Sequence, residues 1–127
     1  MKILSIIIPA YNSELYLDKC INSLLSDAVI NKLDIIIVDD GSTDQTAVIA
    51  DSYRDIYPNS ISVIHQENSG HGGAVNAGCA QAVGKYLKVL DADDTFVTDN
   101  LVEYIIALIE IERFFGLKLN HNEEFKY

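Results

Sequence analysis

The chain has 127 residues, of which 49% are hydrophobic and 22% charged, and its formal net charge is -10. This composition excludes a disordered or fibrous chain and fits one globular domain with a sizeable core. The acidic balance argues against a nucleic-acid partner or an anionic membrane surface, because both are bound through clustered Lys and Arg.

Four short apolar runs, rich in β-branched residues, predict four strands. They cover residues 3–8, 34–38, 61–64 and 86–90. Nearly continuous apolar runs of this length are typical of strands that are buried on both faces of a parallel sheet.

Four helices are predicted between and after these strands. A capping residue or a glycine-rich bend marks the start of each, and proline or glycine marks most of the ends. The first helix is expected after a cap at Ser13, and the second from a cap within residues 42–44 to Tyr57, before Pro58. The third is expected over residues 74–83, after a flexible bend at Gly70, Gly72 and Gly73, and it ends at Gly84. The fourth is expected over residues 101–115, with Asp99 or Asn100 as its cap and Gly116 as its stop.

Strands that alternate with helices predict parallel βαβ units and a doubly wound α/β sandwich with a mainly parallel sheet. Four strands are few for such a sheet, so the domain is expected to be incomplete at its C-terminus. Residues 1–119 are assigned to this domain and the polar residues 120–127 to a tail.

Carboxylates are concentrated where two of the predicted strands end. Asp39 and Asp40 follow the second strand, and Asp91, Asp93 and Asp94 follow the fourth. Ligands of open parallel sheets bind at the carboxyl ends of the strands, so these side chains are expected at one edge. A single Asp there is ordinarily a turn or cap residue. Five together would repel one another without a cation, and hard oxygen ligands select Mg²⁺ or Mn²⁺.

The segment Gly70–x–Gly72–Gly73 enters the third helix and offers backbone amides to an anion. It is not a Walker loop, since no Gly-Lys-Ser/Thr follows, and it does not follow the first strand as a dinucleotide fingerprint does. A plain flexible turn is an equally good interpretation. His71 within it is interpreted as a solvated side chain.

Four motifs together resemble the family 2 glycosyltransferases, which are inverting enzymes with the GT-A fold that use nucleotide sugars. None of the motifs is specific by itself, but their order and spacing from residue 3 to about residue 110 are. They are SIIIPAYN at residues 5–12, IVDDGSTD at 37–44, NSGHGGAVNAG at 68–78 and LDADD at 90–94.

The resemblance implies a donor site in which Mn²⁺ or Mg²⁺ neutralises the departing nucleoside diphosphate. One wall of that site would hold the nucleoside, and the Asp-x-Asp motif would hold the metal. The implied assignments are Pro9, Ala10 and Tyr11 lining the nucleoside pocket, Asp40 and Asp39 on the uracil or ribose, Asn68 near the base or ribose, Asp91 on the ribose or the metal, and Asp93 on the metal.

The implied reaction moves a sugar from a nucleotide-diphosphate sugar, by family habit a UDP-sugar, to a polysaccharide or lipid-linked acceptor. The chain departs from the family in two ways. Val75 stands where an Arg often precedes Asn76, with Lys85 or Lys88 as possible substitutes. No catalytic base follows Asp99, so the chain is interpreted as the donor-binding half, inactive without the remainder.

Three alternatives stay open. The first is a nucleotide-binding module without catalysis. The second is a phosphatase of the haloacid dehalogenase type, since Asp91–x–Asp93–x–Thr95 matches its nucleophile motif, although that motif normally follows the first strand. The third is a sugar nucleotidyltransferase, whose Gly-rich and Arg-containing loop is expected after the first strand, where this chain has residues 9–12 instead.

No signal peptide or membrane span is predicted, because residues 3–8 are too short and residues 101–119 carry Glu103, Glu110, Glu112 and Arg113. Cys20 and Cys79 fit no metal-ligand spacing and are interpreted as buried thiols of a reducing compartment. The chain is therefore expected in the cytoplasm, at the inner membrane face if missing parts carry it there.

A homo-oligomer is also expected. The stripe on the last helix is too broad for one sheet face. It consists of Ile105, Ile106, Leu108 and Ile109.

Overall fold

The computed structural model describes residues 1–122, with side chains as far as residue 115. Strands and helices alternate along the chain. The strands are β1 (Leu4–Ala10), β2 (Leu33–Asp40), β3 (Ile61–Gln66) and β4 (Tyr86–Val89), and the helices are α1 (Leu17–Asn22), α2 (Thr46–Ile56), α3 (Gly70–Gln81) and α4 (Thr98–Asn122), with a short 3₁₀ turn at Ile30–Lys32.

The four strands form one parallel sheet in the order β3-β2-β1-β4. Leu4 of β1 lies between Leu33 of β2 and Tyr86 of β4. The chain first extends the sheet on one side of β1 and then returns to the other side, so the order reverses between β1 and β4. The predicted α/β sandwich with a parallel sheet is confirmed.

The central strands are apolar on both faces because each face is covered by helices. Ile6 and Ile8 of β1 belong to a cluster with residues of α1, α2 and α4. Ile7 of the same strand belongs to a second cluster with Ala74 of α3. Since side chains alternate along a strand, α3 covers one face and the other helices cover the opposite one. Every residue of β1 is buried.

Helix α3 begins at Gly70, four residues before the predicted start. The backbone of Gly70 has φ +82°, a left-handed conformation that suits glycine. The carboxylate of Asp40 accepts hydrogen bonds from the amides of Ser69 and Gly70, so the first turn is held without a flexible bend. The prediction of a bend at these residues was wrong, because the residue that fixes the turn lies on another strand.

Helix α4 continues to Asn122, so Gly116 does not stop it. A glycine inside a helix costs only about 1 kcal/mol relative to Ala and ends a helix chiefly where it adopts positive φ. Residues 120–122 of the predicted tail are helical, and residues 123–127 lie outside the described part. The helix also starts one residue before Asp99, at Thr98, whose hydroxyl donates to the carbonyl of Ser23.

Two further predictions about single residues were wrong. Ser13 does not cap α1 with its side chain, since its hydroxyl donates to the carbonyl of Tyr11 and the helix begins at Leu17. Cys79 is exposed, because α3 turns only Ala74 and Gly78 fully inward. Cys20 is buried as predicted, and its burial, with the acidic residues after β4, raises the pKa of its thiol to about 12.

None of the helices in the described part of the chain combines the length and the hydropathy needed to span a bilayer.

Candidate functional site

A cleft of about 320 Å³ opens where β1 and β4 end, at the point where the strand order reverses. Open α/β sheets bind ligands at such a reversal, because the loops after the two strands diverge there. The loop after β1, the loop after β4 and the first turns of α3 form its walls. The lining residues are Pro9, Ala10, Tyr11, Asn12, Ser13, Tyr16, Asp40, His71, Ala74, Asp91, Ala92 and Asp93.

A second and larger cavity, of about 530 Å³, lies beside β4 and the start of α4. Among the residues whose side chains are described, its lining contains Lys88 and no carboxylate, and the other members are Thr95, Phe96, Val97, Asn100 and Tyr104. Size by itself does not mark a functional site, and convergent polar groups favour the smaller cleft.

The wall formed by the loop after β1 is braced by the loop between β2 and α2. Asn12 has φ +46°, which asparagine tolerates better than most residues. Its backbone amide donates to Ser42 Oγ at 3.0 Å, and its side-chain Oδ1 accepts from the backbone amide of Thr43 at 2.8 Å. Tyr11 and Tyr16 line the cleft with about half of each side chain exposed. Two aromatic rings on a fixed loop are suited to packing against a planar ligand.

Asp40 lies at the end of β2, is 3% exposed and lines the cleft. One carboxylate oxygen accepts from Gln66 Nε2 at 2.9 Å and from the amide and hydroxyl of Ser69, and the other accepts from the amide of Gly70 at 3.0 Å. Burial favours the neutral acid, but the hydrogen bonds outweigh it and the pKa of Asp40 is lowered. The backbone amides at the start of α3 were expected to face an anion. The anion that they bind is the carboxylate of Asp40.

Asp39 does not line the cleft. Its Oδ1 accepts from the amide of Ser42 at 3.0 Å, and its Oδ2 lies 2.8 Å from His65 Nδ1. The other ring nitrogen of His65 lies 2.8 Å from Asp51 Oδ1 on α2. Asp39 therefore fixes the loop that braces Asn12.

Asn68 also lies outside the cleft lining, against the turn at Gly41. A Cβ at Gly41 would stand 2.7 Å from the Asn68 amide nitrogen, and Gly41 has φ +76°, so this close approach depends on glycine. The roles of Asp39 and Asn68 in binding uracil or ribose stay predictions.

Three exposed carboxylates cluster after β4. Asp91, Asp93 and Asp94 each place one oxygen within 4.8 Å of the others. Ala92 between them is 5% exposed and anchors the loop, and the amide of Asp94 donates to the carbonyl of Asp91. Carboxylate oxygens in such a group suit Mg²⁺ or Mn²⁺. Only three of the five predicted carboxylates converge here, since Asp39 and Asp40 have partners of their own.

His71, interpreted from the sequence as a solvated side chain, is exposed but lines the cleft. Its Nε2 lies 3.0 Å from Asp91 Oδ1, across the cleft from the first turn of α3. Nothing in the local sequence places residue 71 opposite residue 91, because their proximity depends on the order of the strands in the sheet. Lys85 and Lys88, suggested as substitutes for the missing Arg, do not line the cleft: the first lies 4.0 Å from Glu112 and the second sits over the Phe96 ring.

Residues 5–122 match the family model described as Glycosyl transferase family 2. The chain is 36% identical over 110 residues to "Glycosyltransferase GlyG" of Streptococcus pneumoniae, an alignment that covers 86% of this chain and 36% of GlyG.

The solved structures that are similar to the chain include a TarS complex and a mannosyltransferase complex. S. aureus TarS 1-349 in complex with UDP-GlcNAc superposes with a TM-score of 0.73 at 32% identity, covering 87% of this chain and 32% of that one. The mannosyltransferase PcManGT from Pyrobaculum calidifontis, in complex with GDP-Man and Mn²⁺, gives a TM-score of 0.64 at 27% identity, covering 78% and 30%. The chain spans about a third of the length of each of these relatives.

Proposed function

The chain belongs to glycosyl transferase family 2 and has its GT-A fold, and from this premise we propose that it forms the donor-binding part of a glycosyltransferase. The whole protein would move a sugar from a nucleotide-diphosphate sugar to a saccharide or lipid-linked acceptor. One observation carries the proposal: the cleft at the strand-order reversal has an aromatic wall and, facing it, two members of a group of three carboxylates, Asp91 and Asp93.

The end of β1 and the loop after it are proposed to hold the nucleoside. Pro9, Ala10 and Tyr11 supply an apolar and aromatic surface, and Asp40 lies beside it at the end of β2. A UDP-sugar is the proposed donor because TarS, at 32% identity, is solved with UDP-GlcNAc, whereas PcManGT with GDP-Man is 27% identical. Asp39 and Asn68 are also proposed to contact the uracil or ribose, and Asp39 fixes the loop behind this wall through its bond from the amide of Ser42.

The acidic cluster is proposed to hold Mn²⁺ or Mg²⁺. Asp93 and Asp91 are the proposed ligands, and Asp94 lies within the same group. In the part of the chain that the structure describes, no Lys or Arg forms an ion pair with these carboxylates, and the basic side chain paired with one of them is His71, 3.0 Å from Asp91. A bound cation would neutralise the diphosphate that leaves with the nucleoside. PcManGT is solved with Mn²⁺, which supports the choice of metal.

The residues of the cleft would bind and orient the donor, and this positioning accounts for a large share of catalysis in group transfer. The acceptor site and the catalytic base are proposed to lie in the two thirds of the relatives' length that this chain does not span. The haloacid dehalogenase alternative is dropped, because the family model that matches residues 5–122 is a glycosyltransferase model.

The metal assignment is tested by Asp93→Ala. We expect the variant to lose the Mn²⁺-dependent part of UDP binding, by about tenfold or more, since removing even an outer partner of a metal ligand costs 10–100-fold. Its thermal midpoint should be unchanged or higher, because one of three mutually repelling charges is removed. Titration calorimetry of UDP with and without Mn²⁺ measures the loss.

The matched control is Asp27→Ala. Asp27 is also an exposed carboxylate, but it precedes β2 and so lies toward the amino ends of the strands, away from the cleft. It should bind UDP as the unmodified protein does. Unchanged UDP affinity of Asp93→Ala in Mn²⁺ would show that the cluster does not hold the metal.

A further inference from the structure

The cleft has an unusual balance of charge for a site that takes a diphosphate. Asp40, Asp91 and Asp93 line it, and among its described lining residues His71 is the one basic side chain. The four donors around Asp40 already compensate that carboxylate. A nucleoside diphosphate would bring at least two more negative charges into contact with the carboxylates after β4.

His71 lies where its imidazole N–H can donate a hydrogen bond to such a negatively charged group. It is 65% exposed in its side chain and reaches across the cleft to within 3.0 Å of Asp91, whose side chain is 52% exposed. Positions that a Cβ would occupy at Gly70 and Gly72, on either side of it, have nothing within 4 Å. The imidazole therefore has open space around it and is not fixed by packing.

The partner of His71 is also a proposed metal ligand. An oxygen of Asp91 that binds a cation has less electron density to offer an imidazole N–H. The ring nitrogen would then take another acceptor within the same short reach, and the diphosphate on that cation is the nearest one that the proposed function supplies. A hydrogen bond to a charged acceptor is among the stronger ones in proteins.

We propose that His71 contacts the diphosphate of the nucleotide donor, exchanging its bond to Asp91 for a bond to a phosphate oxygen when the donor and its cation bind. The inference rests on the proposed function of the cleft and goes beyond it by assigning a phosphate-binding residue on α3. His71 is a binding residue here, and the nucleoside is held by other side chains.

The test compares His71→Ala, His71→Gln and His71→Arg, with Gln81→Ala as the control. Gln81 is an exposed residue in the last turn of the same helix, at the end away from the cleft. Titration calorimetry measures UDP with Mn²⁺, inorganic pyrophosphate with Mn²⁺, uridine, and Mn²⁺ by itself. Thermal unfolding of each variant shows that it is folded.

We expect His71→Ala to bind UDP and pyrophosphate about tenfold more weakly, which is the range of a hydrogen bond to a charged group. Uridine binding should stay the same, and Mn²⁺ binding should be equal or tighter, since a competitor for Asp91 is gone. His71→Gln keeps one donor and should recover part of the loss, and His71→Arg should recover most of it.

Two results would overturn the inference while leaving the proposed function intact. One is that the unmodified protein binds UDP and His71→Ala binds it equally well. The other is a loss of UDP affinity that parallels a loss of Mn²⁺ affinity, which would make His71 a residue that only positions Asp91. If the unmodified protein itself fails to bind UDP in Mn²⁺, the proposed function fails first and this inference falls with it.

Discussion

Asp39 and Asp40 are adjacent in the sequence but have different partners, because successive side chains of a strand point to opposite faces. Asp40 faces α3 and the cleft, and Asp39 faces α2 through His65. The sequence predicted carboxylates at this strand end and assigned both to the nucleotide. It could not separate them, since the partners that distinguish them, His65 for Asp39 and Gly70 for Asp40, lie 26 and 30 residues further along the chain.

His65 predicts a pH dependence of stability. Its ring nitrogens lie 2.8 Å from Asp39 and from Asp51, and Asp51 also pairs with Arg54. The hydrogen bond to Asp39, opposed by burial and aided by Asp51, raises the pKa of His65. A raised pKa means stability that is fully present below the unfolded value of about 6.5 and is lost as pH rises through the folded value.

The measurement is the thermal midpoint of the unmodified protein and of His65→Gln between pH 5.5 and pH 9. The midpoint of the unmodified protein should fall more steeply above pH 6.5 than that of the variant, which has no charge to lose. Parallel curves would mean that the protonated ring does not stabilise the loop after β2.

Helix α3 packs closely against the sheet. It buries only Ala74 and Gly78 completely, and a Cβ at Gly78 would stand 2.4 Å from Ile7 Cγ2. The glycines after residue 69 looked like a flexible entry to a helix. Gly78 instead allows contact with β1, and that requirement depends on a tertiary neighbour that local pattern does not show.

A pair of glycine substitutions separates close packing from helix propensity. Gly78→Ala should lower the free energy of unfolding by about 1–3 kcal/mol, since the added methyl group must push α3 away from Ile7. Gly72→Ala in the same helix meets nothing within 4 Å and should be neutral or stabilising by about 0.5–1 kcal/mol. Urea unfolding measures both. Equal effects of the two substitutions would show that α3 can shift without cost.

For the molecule as a whole, periodicity predicted the four strands, the parallel sheet and the edge that carries the site. Strand order was not predictable in this way, because pairing partners such as Leu4 and Tyr86 are far apart in the chain. The order decides which loops meet, and so it explains why Asp91 and Asp93 share a cleft with the loop after β1.

Self-association of the chain stays a prediction at this scale. β4 is an edge strand, and large apolar side chains on it and on the nearby helix are exposed, among them Leu87 at 47%, Val97 at 65% and Ile106 at 53%. A second copy could cover them, but each copy carries a formal net charge of -10. Screening should therefore strengthen the association.

Light scattering at about 0.05 M and about 0.5 M salt tests the predicted self-association. The two concentrations lie on either side of the ionic strength at which the Debye length is about 10 Å. We expect a dimer or larger species that gains population at the higher salt. A monomer at both would contradict the prediction. The same preparation should bind UDP without transferring sugar to an acceptor.

The position of β1 in the middle of the sheet has a consequence for the order of folding. One neighbour of β1, the strand β2, comes next in the sequence. The other neighbour, β4, follows in the sequence only after β2, α2, β3 and α3. Closing the longer loop costs more entropy, so pairing of β1 with β2 should precede docking of β4. The cleft lies between β1 and β4 and does not exist until that docking occurs. In a refolding experiment, nucleotide binding would therefore appear with the last step, and a bound nucleotide would slow the first step of unfolding.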